Sequence, residues 1–262
     1  MNIDLTGKFA LVRGASQGIG RAIAEELGAL GATVTLVARD EAKLKDVLKG
    51  LSRSKNQAHD YVVLDSSDTK RLESETSAKF GGAKSYHILI NNTGGPPAGL
   101  ASDAKPEEFA AAFSSHLLAN QIFTQAVLPS MKNARYGRII NIISTSVKEP
   151  IAGLGVSNTI RAAVANWAKT LARELGPHGI TVNNLLPGAT KTQRLEAIFE
   201  GRAKKSGKPI EEVISHSQAE IPMGRFADPS EIAAAVAFLA TPAASYITGI
   251  NLTVDGGRTA SL

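Results

Sequence analysis

The stretch Leu11-Val12-Arg13-Gly14-Ala15-Ser16-Gln17-Gly18-Ile19-Gly20 has residue types and spacing suited to holding phosphate. It follows an apolar run, Phe9-Ala10-Leu11-Val12, and opens into helical spacing at Ala22, Ile23 and Leu27. Strand, glycine-rich turn and helix is the order in which a dinucleotide pyrophosphate meets the N–H groups of a helix N-terminus. Gly14 allows the tight turn, Gly18 lets the backbone approach the phosphates, and Gly20 lets the helix pack close to the sheet. The spacing is G-x-x-x-G-x-G, not the G-x-G-x-x-G of the general fingerprint. At the end of the second apolar run an acid would hold a ribose 2′-hydroxyl and repel a 2′-phosphate. The chain has Arg39 there instead, a guanidinium that suits NADP(H). Asp40, one residue on, would turn the preference toward NAD(H) if it pointed inward rather than capping the next helix.

The composition narrows the remaining chemistry. The chain has no cysteine, which excludes thiolate catalysis, disulfides and cysteine metal sites and agrees with a cytoplasmic location. Its five histidines are scattered without ligand-like spacing, so no metal site is expected. The formal charge of +5 is spread along the whole chain, which argues against a nucleic-acid surface and suits an anionic small ligand. The densest basic group, Arg202-Ala203-Lys204-Lys205 with Lys208, reads as a solvated face. Met1-Asn2-Ile3-Asp4-Leu5 runs straight toward the first strand without a signal-peptide pattern, and no apolar run is long enough to span a bilayer.

Apolar runs rich in β-branched residues alternate with helical periods, the pattern of a parallel sheet covered on both faces. The runs after the first are Thr33–Val37, Tyr61–Leu64, His87–Ile90, Arg138–Ile143, Ile180–Leu185 and Ile250–Val254. Helices are expected from Asp40 to Leu51, Pro106 to Met131, Ser157 to Leu175 and Asp228 to Ala240. Residues 189–223 read as a polar helical insertion of the kind that forms a lid. The expected fold class is a single α/β domain over residues 1–262, Rossmann-type, with a doubly wound seven-stranded parallel sheet and a helical lid.

Several motifs in order then carry a resemblance. Beside the glycine turn stand Asn91-Asn92-Thr93-Gly94, Asn183, Pro187-Gly188 with Thr192, Tyr246-Ile247-Thr248-Gly249 and Val254-Asp255-Gly256-Gly257. Over nearly its full length the chain resembles the short-chain dehydrogenase/reductases, and within them the 3-oxoacyl-carrier-protein reductase group. The resemblance implies that Gly14, Ser16, Gln17, Gly18, Ile19 and Gly20 hold the pyrophosphate and ribose. It implies that Asp65 accepts from the adenine amino group, that Asn92 and Gly94 pack along the cofactor, and that Pro187, Gly188 and Thr192 line the nicotinamide side. It also implies a homotetramer or homodimer acting on a small-molecule substrate.

The resemblance breaks at the catalytic residues. The family reduces carbonyls with serine, tyrosine and lysine, helped by an asparagine on the preceding helix. Ser144 matches the serine, but Ser157 stands at the tyrosine position, Arg161 at the lysine and His116 at the asparagine. None of the four tyrosines is followed four residues on by a lysine. An alcohol cannot replace a phenol of pKa about 10, and arginine keeps its proton at neutral pH. Three groups are then open as the proton source: His116, Lys148, or a water held by Ser144 and Ser157. Arg13 stands where the family has a threonine that ties the first turn to the fourth-strand asparagines. A long cation is not expected to make that small buried contact; it would reach the cofactor phosphates or point to solvent. The chain looks like a divergent subgroup that passes hydride to a carbonyl or a conjugated enone. The alternative is a dinucleotide-binding sensor or partner subunit without catalysis.

Overall fold

Side-chain alternation at period two builds a sheet with two apolar faces. A computed structural model describes residues 1–66, 68–82 and 84–261. Its strands are β1 (Phe9–Arg13), β2 (Thr33–Ala38), β3 (Asp60–Val63), β4 (Ile88–Asn91), β5 (Gly137–Ile142), β6 (Ile180–Pro187) and β7 (Asn251–Val254). They form one sheet in the order β3-β2-β1-β4-β5-β6-β7, with every pairing parallel. Ala10, Val12, Ile88 and Ile90 point to one face, and Leu11 and Leu89 to the other. The first face is covered by α1 (Gly18–Ala29), α2 (Glu41–Gly50) and α9 (Pro229–Ala240). The second is covered by α3 (Thr69–Phe80), α5 (Ala119–Ala134) and α6 (Gly155–Leu175). This is the doubly wound α/β architecture anticipated from the sequence, and strand addition reverses direction between β1 and β4. Such a reversal opens a crevice at the carboxyl ends of the strands, where ligands of this architecture bind.

The helix expected from Pro106 to Met131 is not continuous. It runs as α4 (Pro106–Phe113), a π turn over Ser114–Leu118, and α5. The wider turn inserts a residue into the helical repeat and carries His116 into the interior. By contrast, Asp40 caps α2 as anticipated, its carboxylate accepting from the Lys43 N–H at 3.1 Å.

A chain of amides crosses the sheet. Asn91 donates to Asn141 at 3.0 Å, Asn141 to Asn184 at 2.9 Å and Asn184 to Asn251 at 2.9 Å. The four asparagines are direct register partners on β4, β5, β6 and β7. At its head, Arg13 of β1 donates to the Asn91 side-chain oxygen at 3.0 Å and to that of Asn120 on α5 at 2.6 Å. Its guanidinium lies 4.3 Å from the ring centre of Phe123. The expectation that a long cation there could make no buried contact is therefore corrected. Arg13 is buried, and it neither lies in solvent nor leaves the fourth strand untied. Two amide oxygens and an aromatic face replace the water it loses, and burial lowers it only to about 9, so it stays charged at neutral pH.

Candidate active site

Each strand of the crevice delivers a group at its carboxyl end. The turn after β1 forms because Gly14 adopts φ +61°, and a Cβ there would come within 2.6 Å of the Asn92 carbonyl oxygen. Asn92 closes the contact by donating its side-chain N–H to the Gly14 oxygen at 3.2 Å. A Cβ on Gly20 would collide with the same Gly14 oxygen, so α1 can approach the turn only with glycine at that position. The space these glycines leave open belongs to a cavity of about 1310 Å3. Gly14, Ser16, Gln17, Gly18 and Ile19 line it, with Arg39 and Asp40 from the end of β2, Asp65 from β3, and Asn92 and Gly94 from β4. Backbone N–H groups at a helix start, an exposed guanidinium and an acid beyond β3 form a donor set that fits a dinucleotide.

A second cavity, of about 240 Å3, adjoins the first. Ile19, Asn92, Thr93, Gly95, Thr192 and Arg194 line both. Ser144, just past β5, stands on its wall with Ser157 and Arg161 of α6 and with Pro187 and Gly188 from the end of β6. Ser144 is held in place by capping the short turn Thr145–Val147, its oxygen accepting from the Ser146 N–H at 3.0 Å. Arg161 is 8% exposed and donates through Nη1 to the Ile142 carbonyl at 2.7 Å, while its buried Nε has no partner. Burial and the charge of Arg194 lower it to about 10, so it stays cationic at neutral pH. Thr192 caps α7 (Gln193–Ser206), accepting from the Leu195 N–H at 3.3 Å.

His116 and Lys148 stand apart from this group and line neither cavity. His116 is 4% exposed, and its Nδ1 lies 2.8 Å from the Thr93 hydroxyl. Burial, reinforced by Arg161, Arg13 and Arg194, pushes its pKa down to about 3, so the ring is neutral throughout the physiological range. Above about pH 6.5 the ring is neutral both folded and unfolded. Between there and about 3 only the unfolded chain takes up the proton. The stabilising contribution is therefore complete above 6.5 and is lost as pH falls toward 3. We expect urea midpoints of the wild type to drop between pH 7 and pH 4.5 by more than those of His116→Asn; parallel curves would contradict the assigned burial. Lys148 ends the turn after Ser144, its N–H donating to the Thr145 carbonyl at 2.9 Å.

The tyrosines are equally remote. Tyr61 donates to Glu41, Tyr86 is buried against Thr35, Tyr136 donates to the Ala240 carbonyl, and Tyr246 is fully exposed. None lines either cavity.

The comparisons with known proteins agree with this geometry. The family described as enoyl-(acyl carrier protein) reductase matches residues 14–259. The chain belongs to the short-chain dehydrogenase/reductase family. The 3-oxoacyl-(acyl-carrier-protein) reductase FabG of Vibrio cholerae is 36% identical over 258 residues, covering 97% of this chain and 98% of that protein. Among solved structures, YwfH, an NADPH-dependent reductase involved in bacilysin biosynthesis, is 31% identical with a TM-score of 0.90, over 97% of this chain and 99% of that one. L-sorbose reductase from Gluconobacter frateurii, solved with NADPH and L-sorbose, is 28% identical with a TM-score of 0.92, and the match spans 100% of both chains.

Within this family fold, the sequence reading missed two arginines. Arg194, on the first turn of α7, donates to the carbonyls of Gly95 at 2.9 Å and Pro96 at 3.4 Å. It thereby ties the segment after β6 to the loop after β4. Arg202, read as part of a solvated face, lines the smaller cavity. A helical wheel of α7 contained the signal, since 194, 195, 198, 199 and 202 fall on one face, all of which lines that cavity. Conversely, not all apolar residues of the segment face the pocket. Ile210, Val213 and Ile214 of α8 (Ile210–Ala219) instead pack in a small core with Phe199, Ile221 and Phe226.

Proposed function

We propose that the chain is an NADP(H)-dependent reductase of a small carbonyl or conjugated enone compound, with a proton relay that uses no tyrosine. The observation that carries this reading is the shared cavity of Ser144, Ser157 and Arg161, opening directly onto the dinucleotide-shaped crevice. NADPH held by the lining of the larger cavity would supply a hydride, and Ile19, Asn92, Thr93 and Thr192, which line both cavities, join its site to that of the substrate. Ser144 donates a hydrogen bond to the substrate oxygen, and the Arg161 guanidinium balances the negative charge that develops there. Hydride adds to carbon, the π electrons move to oxygen, and a water held by Ser144 and Ser157 gives that oxygen its proton. Bulk solvent then restores the proton to the water. Conjugate addition makes the smallest demand on the acid, because the charge is delocalised as an enolate before protonation. A neutral His116 acts as a spacer that orients Thr93, and Lys148 takes no part. The segment 189–223 closes over the pair of cavities as a lid.

The cofactor preference is supported by Arg39 on the rim of the larger cavity and by Asp40, whose carboxylate is engaged at the start of α2. YwfH and L-sorbose reductase, both described with NADPH, point the same way. Calorimetric titration tests it. NADPH is expected to bind more tightly than NADH, and Arg39→Ala to weaken NADPH by roughly 10–100-fold through the loss of a charge-assisted contact, with NADH little changed. Equal affinities for the two cofactors in the wild type would overturn the preference. Turnover is tested by NADPH oxidation against a panel of ketones and enones, and a complete absence of turnover would count against the reductase reading.

A further inference from the structure

The smaller cavity has an excess of positive charge that the protein does not neutralise. Four arginines reach it, Arg161, Arg194, Arg202 and Arg258, against a single acid, Glu220. Glu220 is already paired with Arg258 at 3.0 Å. Among the described residues, no carboxylate stands within ion-pair distance of Arg161, Arg194 or Arg202. Of these three, Arg161 is buried, whereas Arg194 and Arg202 keep solvent exposure at the cavity wall and mouth. Arg161 is 8% exposed with an unpartnered Nε, and both it and Arg194 donate to backbone carbonyls rather than to carboxylates. The unpaired charge of Arg161 is costly because it is buried, and the neighbouring charge of Arg194 adds to the positive field on the same wall, so an anion placed between the two relieves both. Beside them the wall is apolar, formed by Ile151, Leu154, Leu195, Ile198 and Phe199.

We propose that the substrate is a small organic acid, a 2-oxo or 3-oxo carboxylate or its enone counterpart, whose carboxylate binds between Arg161 and Arg194. Its hydrocarbon part lies on the apolar wall of α7. A planar guanidinium fork matches a carboxylate two bonds at a time, which fixes the neighbouring carbonyl relative to Ser144. At about 240 Å3 the cavity is smaller than most small-molecule sites, and it suits a compact acid better than a long acyl chain. Arg202 at the outer end of the same helical face adds attraction at the mouth.

This inference rests on the reductase reading but is tested by binding rather than turnover. The probes are 2-oxobutanoate, acetoacetate and 2-oxopent-3-enoate, each titrated calorimetrically beside its carboxamide into the protein alone and into the protein saturated with NADPH. At least one acid is expected to bind at least about tenfold more tightly than its amide. Arg194→Gln, which retains a donor for Gly95 but loses the charge, should remove that ratio, and Arg194→Lys should restore most of it. Binding of the acids without NADPH oxidation would support the anion site and count against the reductase reading. Acids that bind no better than amides would show that the cofactor itself supplies the counter-charge, and the inference would fall. It would fall equally if Arg194→Gln weakened NADPH while leaving the acid-to-amide ratio intact.

Discussion

Replacing Ser144 with alanine is expected to lower kcat by about 10²–10³-fold, the usual loss when one oxyanion donor is removed. NADPH affinity should stay unchanged, because Ser144 lines only the smaller cavity. The residue is pre-oriented by its bond from the Ser146 N–H, so it meets the substrate oxygen without reorganisation. The same bond implies a modest structural cost, about 1 kcal/mol for a lost cap. Urea denaturation measured beside the kinetics separates the two effects. A Ser144→Ala enzyme that binds NADPH and retains the wild-type kcat would remove Ser144 from the chemistry and leave Arg161 as the group acting on the substrate oxygen.

The second large effect is on stability, although Arg13 also lines the larger cavity. Arg13→Ala is expected to destabilise the fold by about 3–5 kcal/mol, measured by urea denaturation. The truncation leaves the Asn91 and Asn120 side-chain oxygens without their donor and opens a void beside Phe123. Because Asn91 heads the amide chain through Asn141, Asn184 and Asn251, the loss falls on the register of four strands rather than on one contact. A double change, Arg13→Met with Asn120→Leu, should recover much of the stability, since an apolar replacement of matched volume also removes the cost of burying the charge. If Arg13→Ala stayed within about 1 kcal/mol of the wild type, a margin typical of a surface change, the bridging role would be refuted.

How far each feature could be read from the chain depended on the range over which it is specified. Strand runs such as Ile88–Ile90 and Ile139–Ile140 were legible because parallel strands buried on both faces are rich in apolar β-branched residues. The glycine turn was legible because Gly14 and Gly20 answer to local constraints, a positive φ and a close approach to the backbone. The cap at Asp40 belongs to the same class, since partner and acceptor are three residues apart.

What the linear sequence left open were contacts between residues far apart in the chain. Whether Arg13 met solvent or protein was decided by Asn91, Asn120 and Phe123, some 78 to 110 positions away, which only the sheet order and the packing of α5 bring together. His116 has the right intrinsic pKa for an acid, yet it lies buried in a π turn, where burial and three nearby arginines lower its pKa and it lines neither cavity. Arg202 read as part of a solvated face and Arg194 had no assigned role, until the fold brought one face of α7 to the wall of the smaller cavity. The sequence by itself determined the sheet, the glycine turn and the lack of any tyrosine followed four residues on by a lysine, because each is carried by residue type and short spacing. The tertiary structure alone decided which cations are buried, which are paired and which face the cavity, because desolvation and charge pairing depend on every element packed around a group.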